Sequence, residues 1–131
     1  MPPEVTEDGE GPGEEDETNL FWAICKLYQI EDGKPTPHGV GTIRLNRFHK
    51  GPSEGRHRIL YRDQSVIREL RLNLFLFPLL SPKLRGPKDV GMSFLQDQNG
   101  QKALQNYIVK FRDGASAEKF VKLIEENRGS D

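Results

Sequence analysis

The chain has 131 residues, 34% of them hydrophobic and 30% charged, which suits one domain with a core of its own. Its single cysteine, Cys25, excludes an internal disulfide framework and a multi-cysteine zinc site. No apolar run approaches the length of a membrane span, and the start, MPPEVTEDGEG, lacks the basic end and apolar stretch of a secretory signal, so a soluble protein of a reducing compartment is expected.

The formal net charge of −1 conceals a division along the chain. Residues 1–18 hold eight carboxylates (Glu4, Glu7, Asp8, Glu10, Glu14, Glu15, Asp16 and Glu17) and no Lys or Arg, so they carry −8. The remaining residues carry +7. The acidic segment has three prolines, three glycines and almost nothing apolar, too little to offset the entropy of ordering. It reads as a disordered tail, 1–18, ahead of a folded domain, 19–131. Composition favours a solvating tail over an arm that finds a basic patch on a partner.

From Asn19 onward the pattern is one of short β-type runs. LFWAICKLYQI (20–30) predicts a strand, EDGKPTPHG (31–39) a loop, and the alternating VGTIRLNRF (40–48) a second strand. HKGPSEG (49–55) is a turn and RHRILYR (56–62) a third strand. VIRELRLNLFLF (66–77) covers one or two more, stopped by Pro78. SPKLRGPKD (81–89) is a loop, VGMSFLQ (90–96) a strand, DQNGQ a turn and ALQNYIVKF (103–111) another strand. In the last element Ala117, Phe120, Val121 and Ile124 fall on one helical stripe, with Asp113 and Ser116 as candidate N-caps and Gly129 as a candidate stop. About seven strands and one C-terminal helix with a single apolar face predict a mainly β fold, a pleckstrin-homology-like barrel closed by that helix.

Catalysis is not expected. Cys25 lies inside a strand pattern, where a lone cysteine is usually a small core residue. His38, His49 and His57 are scattered and not spaced as metal ligands. Gly39-Val-Gly41 lacks the third glycine and following helix of a dinucleotide loop. No cofactor and no metal are expected. Nucleic acid is disfavoured because the acidic tail would compete with phosphate and the aromatics are not interleaved with basic residues.

Alternation sorts the arginines. Arg44 shares a face with Val40 and Thr42, opposite Ile43 and Leu45. Arg56, Arg58 and Arg62 share a face opposite Ile59 and Tyr61. If the two strands pair, their arginines form a basic stripe, which is either a solvated sheet face or a binding surface.

The ordered series GEEDETNLFWAICKLYQIEDG, GVGTIRL (39–45), LYRDQSVIRELRLN (60–73), FLFPLLSPKLR (75–85) and VKFRDGASAEKF (109–120) resembles the Ran-binding domains over most of residues 14–128. The Gly-x-Gly entry and the spacing from Arg62 to Asn73 are most similar to the version carried by soluble nucleoporins. The resemblance implies a pleckstrin-homology-like barrel that binds the small GTPase Ran in its GTP form, in nucleocytoplasmic transport at the nuclear pore. It implies an exchange of charge. The domain's acidic arm, here Glu14, Glu15, Asp16 and Glu17, lies on a basic patch of Ran. Ran's acidic tail lies on the domain's basic surface, here Arg44, Arg58 and Arg62. Asn73 is carried over from the family pattern. Importins, exportins and other nucleoporins are further partners it suggests.

The chain departs from the family in four places. Pro35-Thr36-Pro37-His38 stands where many members carry a tryptophan and a charged triplet, Asp63 follows Arg62 in place of a second arginine, and Leu74 replaces a common histidine. These changes suggest a weaker or transient binder, or one assisted by an importin. In the first strand Phe21, Ala23, Cys25 and Leu27 form the buried side, leaving Trp22 and Ile24 on the nominally wet face, where relatives tend to have Lys or Arg. Trp22 and Ile24 are either covered by the chain itself or used in binding. The main alternative from another class is an EVH1-like domain that grips proline-rich peptides, to which Trp22 and Tyr28 could contribute. A phosphoinositide-binding membrane domain is disfavoured because Glu31 and Asp32 oppose Lys34 in the loop after the first strand. A purely structural scaffold stays open.

Overall fold

The computed structural model describes residues 14–129. Among these residues seven antiparallel strands and one helix follow one another: β1 (Glu17–Glu31), β2 (Lys34–Phe48), β3 (His57–Asp63), β4 (Leu70–Phe75), β5 (Lys83–Leu84), β6 (Asp89–Gln98), β7 (Gln101–Phe111) and α1 (Gly114–Asn127). They form one sheet in the order β4-β3-β2-β1-β7-β6-β5.

β1 organises the sheet. It pairs with β2 along most of its length and with β7 from Cys25 to Gln29. Register shifts between Asn19 and Phe21 and between Lys26 and Tyr28 let one long strand serve both halves, because a bulge bends a strand and increases its twist. The expected loop over 31–39 is mostly strand. Asp32 and Gly33 alone make the turn, both at positive φ (52° and 77°), which is the two-residue hairpin that an Asp-Gly pair favours. Pro35 and Pro37 are accommodated because β3 pairs with β2 only from Gly41 onward, so the other side of β2 is an edge there. Asn99 and Gly100 (φ 52° and 83°) turn β6 into β7 in the same way.

The core lies between the inner face of the sheet and α1. Phe21, Cys25 and Leu27 are buried, as the alternation of β1 requires. Phe120 of α1 sits against Phe21 and Phe111, with ring centroids 5.7 and 5.3 Å away. Ala117, Phe120 and Ile124 are buried and Val121 is partly so, as the helical stripe predicts. Burying each of the two large side chains contributes roughly 1.5–3 kcal/mol. Asp113 caps the helix by accepting a hydrogen bond from the Ser116 backbone N–H (2.7 Å), and Gly129 ends it at φ 90°.

Candidate functional site

β1 to β4 bring the outward-facing residues of four strands onto one surface. In the register Trp22 faces Arg44, Ile24 faces Thr42, Asn46 faces Arg58, Thr42 faces Arg62, and Asn73 faces Leu60. Trp22, Arg44, Arg58, Arg62 and Asn73 therefore share a face. The link between Arg58 and Asn73 is direct, with Arg58 Nη1 donating to Asn73 Oδ1 at 3.4 Å. Trp22 and Ile24 are half-buried there, while Arg44 is only 2% exposed.

The surface is not a bare stripe of like charge, because two of the acids that the sequence assigns to a free arm, Glu14 and Glu17, are seated on it. The expected boundary at 18/19 runs through β1, and the last residues of the expected tail, from Glu14, lie on the body; residues 1–13 lie outside the described residues. Glu14 and Glu17 are 0% and 2% exposed. Glu17 receives two parallel hydrogen bonds from Arg58, Nε to Oε1 at 2.7 Å and Nη2 to Oε2 at 2.6 Å. Glu14 pairs with Arg62. Asn46 joins the two carboxylates, donating from Nδ2 to Glu14 Oε1 (2.5 Å) and Glu17 Oε1 (3.3 Å), and its own carbonyl accepts from Asn19 Nδ2 at 2.9 Å. Asp16 is half-buried and meets Lys50 at 3.5 Å, while Glu15 is exposed. Removal from water strengthens the Glu17–Arg58 and Glu14–Arg62 pairs, whereas the side chains of Asp16 and Lys50 stay exposed, and a buried carboxylate without its cation is costly.

Aromatic rings hold the arginines from below. Phe48 and Phe75 stack at 5.7 Å, with Arg58 over Phe48 at 5.1 Å and Arg56 over Phe75 at 4.0 Å. Arg44, Arg62, Arg68 and Thr42 line a small cleft beside them. On the other flank a cavity of about 210 Å³ is walled by Ile24, Val40 and Phe111 and rimmed by Lys26, Lys110 and Arg112. The whole face is thus an apolar strip, Trp22 to Val40, between two groups of cations. Such a surface suits an acidic segment that also carries apolar side chains. Among the described residues no group of His, Cys, Asp and Glu could hold a metal ion, and no helix is long and apolar enough to cross a membrane.

The family model for the RanBP1 domain matches residues 11–130. This chain belongs to the RanBP1 domain family. Two solved structures share its fold. Both are described as the Ran-binding domain of the nuclear pore or nuclear complex component Nup2 from Ashbya gossypii. One is 20% identical, with a TM-score of 0.64 over 87% of this chain and 97% of that one. The other is 21% identical, with a TM-score of 0.66 over 84% and 95%. No curated protein sequence matches the chain. The RanBP1 domain is a family of binding modules, and the sheet-and-helix architecture is its pleckstrin-homology-like fold.

One family feature and one departure from it gain a physical basis here. Gly39 takes φ 81°, and its carbonyl accepts from the Tyr61 hydroxyl. A Cβ on Gly41 would lie 2.2 Å from the Arg62 carbonyl oxygen and 2.7 Å from the Tyr61 ring. The Gly-x-Gly entry is what lets β3 lie close to β2. Asp63, in place of the family's second arginine, organises the loop after β3. It accepts from Ser65 Oγ (2.5 Å), Ser65 N (3.0 Å), Glu69 N (3.1 Å) and Arg71 Nε (2.9 Å). The Ser65 hydroxyl above all, then Arg71, holds its carboxyl at about 2. That loop presents Val66 and Ile67, both exposed, beside Arg68.

Asn46, Phe48, Phe75 and Asp63 were missed as site residues by sequence reasoning. Asn46 was within reach, since it lies two residues past Arg44 on the same alternation. Tyr28, considered for a proline-peptide cluster, does not join Trp22. It faces Pro37 beyond the β1 bulge, whereas Trp22 faces Arg44.

Proposed function

We propose that this RanBP1 domain is a non-catalytic binding module for Ran in its GTP-bound form, acting in nucleocytoplasmic transport as part of a nuclear pore protein. Membership of the family supports Ran as the partner. Likeness to domains of a nuclear pore component supports the setting. The observation that carries the reading is the arrival of Trp22, Arg44, Arg58, Arg62 and Asn73 on one face, between cations that suit an acidic tail.

The arrangement of Glu14 and Glu17 changes their part. They fix Arg58 and Arg62 in place rather than reaching out. The carboxylates proposed for a basic patch of Ran are then Glu4, Glu7, Asp8 and Glu10, a charge of −4 in residues 1–13, with Glu15 and Asp16 next to them. Ran's acidic tail would meet arginines already held by internal carboxylates, so it gains less there than at a bare stripe. That agrees with a transient complex, which an importin or exportin would prolong. State preference follows from linkage: a domain that contacts the tail only when it is released favours the GTP form by that difference in affinity.

The test is a pull-down on Ran in both nucleotide states, with the full chain and with residues 1–13 removed. The full chain should retain the GTP form selectively. The truncated chain should bind more slowly and lose part of its salt dependence, because opposite charges mainly raise the association rate. Retention of both forms equally, or of neither, would count against the proposal.

A further inference from the structure

The cavity of about 210 Å³ between β1, β2 and β7 has an apolar floor of Ile24, Val40 and Phe111 and a rim of Lys26, Lys110 and Arg112. β1 and β7 set Lys26 directly opposite Lys110, and like charges so placed repel. Among the described residues none of the three cations makes an ion pair. Asp89 stands across from Lys110 in β6, yet its Oδ1 has no hydrogen-bond partner among the described residues. The rim therefore calls for a counter-charge, and the floor has room for one aliphatic side chain.

The described start of the chain heads for this cavity. Glu17 is bound to Arg58 and Glu14 to Arg62, so from 17 back to 14 the chain runs along β3 toward Gln64. Gln64 N donates to the carbonyl of Val40, in the cavity floor, at 3.1 Å. Arg62 faces Thr42 and Thr42 faces Ile24, so Glu14 is anchored about two strand spacings, roughly 10 Å, from that floor. Earlier in the sequence stands Glu4-Val5-Thr6-Glu7-Asp8, an aliphatic residue flanked by carboxylates, the complement of an apolar floor with a cationic rim. The stretch from Val5 to Glu14 can span up to about 30 Å, and Gly9, Gly11 and Gly13 let the chain turn.

We infer that in the free chain Val5 seats in this cavity, with Glu4, Glu7 and Asp8 against Lys26, Lys110 and Arg112. The contact relieves the repulsion between the two lysines. It also covers Ile24, one of the two apolar residues on the nominally wet face of β1. A short tether sets an effective concentration on the order of millimolar, so a weak contact suffices and is readily given up. The carboxylates thus stay available to any partner that offers a larger basic surface.

A spin label on Thr6→Cys in the otherwise unaltered full chain tests this, since Cys25 is 3% exposed and stays unlabelled. The amides of Ile24, Lys26, Val40 and Lys110 should lose most of their NMR intensity at about 0.02 M salt and recover much of it at about 0.5 M. Val5→Asp adds a charge but removes the aliphatic group, so in the labelled chain it should restore intensity at those amides. An unchanged or deeper loss would mean attraction by charge alone and would overturn the seat. Neither change alters a residue of the described domain. Mixing spin-labelled chains with isotope-labelled chains that carry no spin label should leave the same amides intact. Loss in that mixture would place the segment on a second copy. Loss centred on Arg58 and Arg62, loss spread evenly over the surface, or none at all would likewise overturn the inference.

Discussion

Glu17 and Arg58 meet fork to fork, with hydrogen bonds of 2.7 and 2.6 Å and side chains only 1% and 13% exposed. The first residue of β1 is thereby fastened to β3, and Glu14, three residues before it, is held to the same strand by Arg62. Glu17→Ala leaves a guanidinium largely shielded from water without its carboxylate. A loss on the order of 2–4 kcal/mol is expected in urea unfolding. Replacing both Glu17 and Arg58 with apolar residues should cost clearly less than the two single changes added together. Strict additivity would show that the pair does not act as a unit.

Gly41 is the place where the strand entry tolerates no side chain. Its Cβ position lies 2.2 Å from a backbone carbonyl, which cannot rotate away. Gly41→Ala should destabilise the domain by about 3 kcal/mol or more. Gly33→Ala meets open space but keeps a positive φ, so it should cost about 1 kcal/mol. Thermal melts of the two variants give the comparison, and equal losses would contradict the packing described for Tyr61 and Arg62.

Asp63 links pH to the order of the β3–β4 loop. Its carboxyl is lowered from 3.8 to about 2 by the Ser65 hydroxyl, Arg71 and two backbone N–H groups. A depressed carboxylate contributes stability above its unfolded value that is lost as pH falls through the folded one. The loop should therefore hold above about pH 4 and loosen as pH falls toward about 2. Carbon-13 shifts of the Asp63 carboxyl should titrate near the lower value. The amides of Ser65 and Glu69 should lose protection over the same interval. A midpoint near the ordinary aspartate value would contradict the hydrogen-bond count.

Asp113 closes the first turn of α1 through Ser116 N. Asp113→Ala should cost about 1 kcal/mol, and Asp113→Asn much less, because asparagine caps nearly as well. Denaturant midpoints of the two variants distinguish a cap from a general surface-charge effect, which would make them alike.

The strands were legible because alternation survives burial on one face. Phe21, Cys25 and Leu27 against Trp22 and Ile24 fix the face of β1 from sequence alone. The stripe Ala117, Phe120, Val121 and Ile124 does the same for α1. The long β1–β2 hairpin was harder, since Pro35 and Pro37 read as breakers until the sheet shows them on an edge. The arginine face was legible as a set, and the structure adds Asn73 to it through Arg58. What periodicity cannot show is pairing between distant segments. Glu14 and Glu17 look like part of a uniform acidic tail, and only the fold reveals that Arg62, Arg58 and Asn46 wait for them.

Calorimetric titration of the full chain against Ran loaded with a non-hydrolysable GTP analogue and against Ran loaded with GDP, at about 0.1 M salt, is the most direct test of the binding role. The GTP form should bind at least about tenfold more tightly. Replacing Arg44 with Glu should remove most of that preference. Equal binding of the two forms, or none to either, would contradict it.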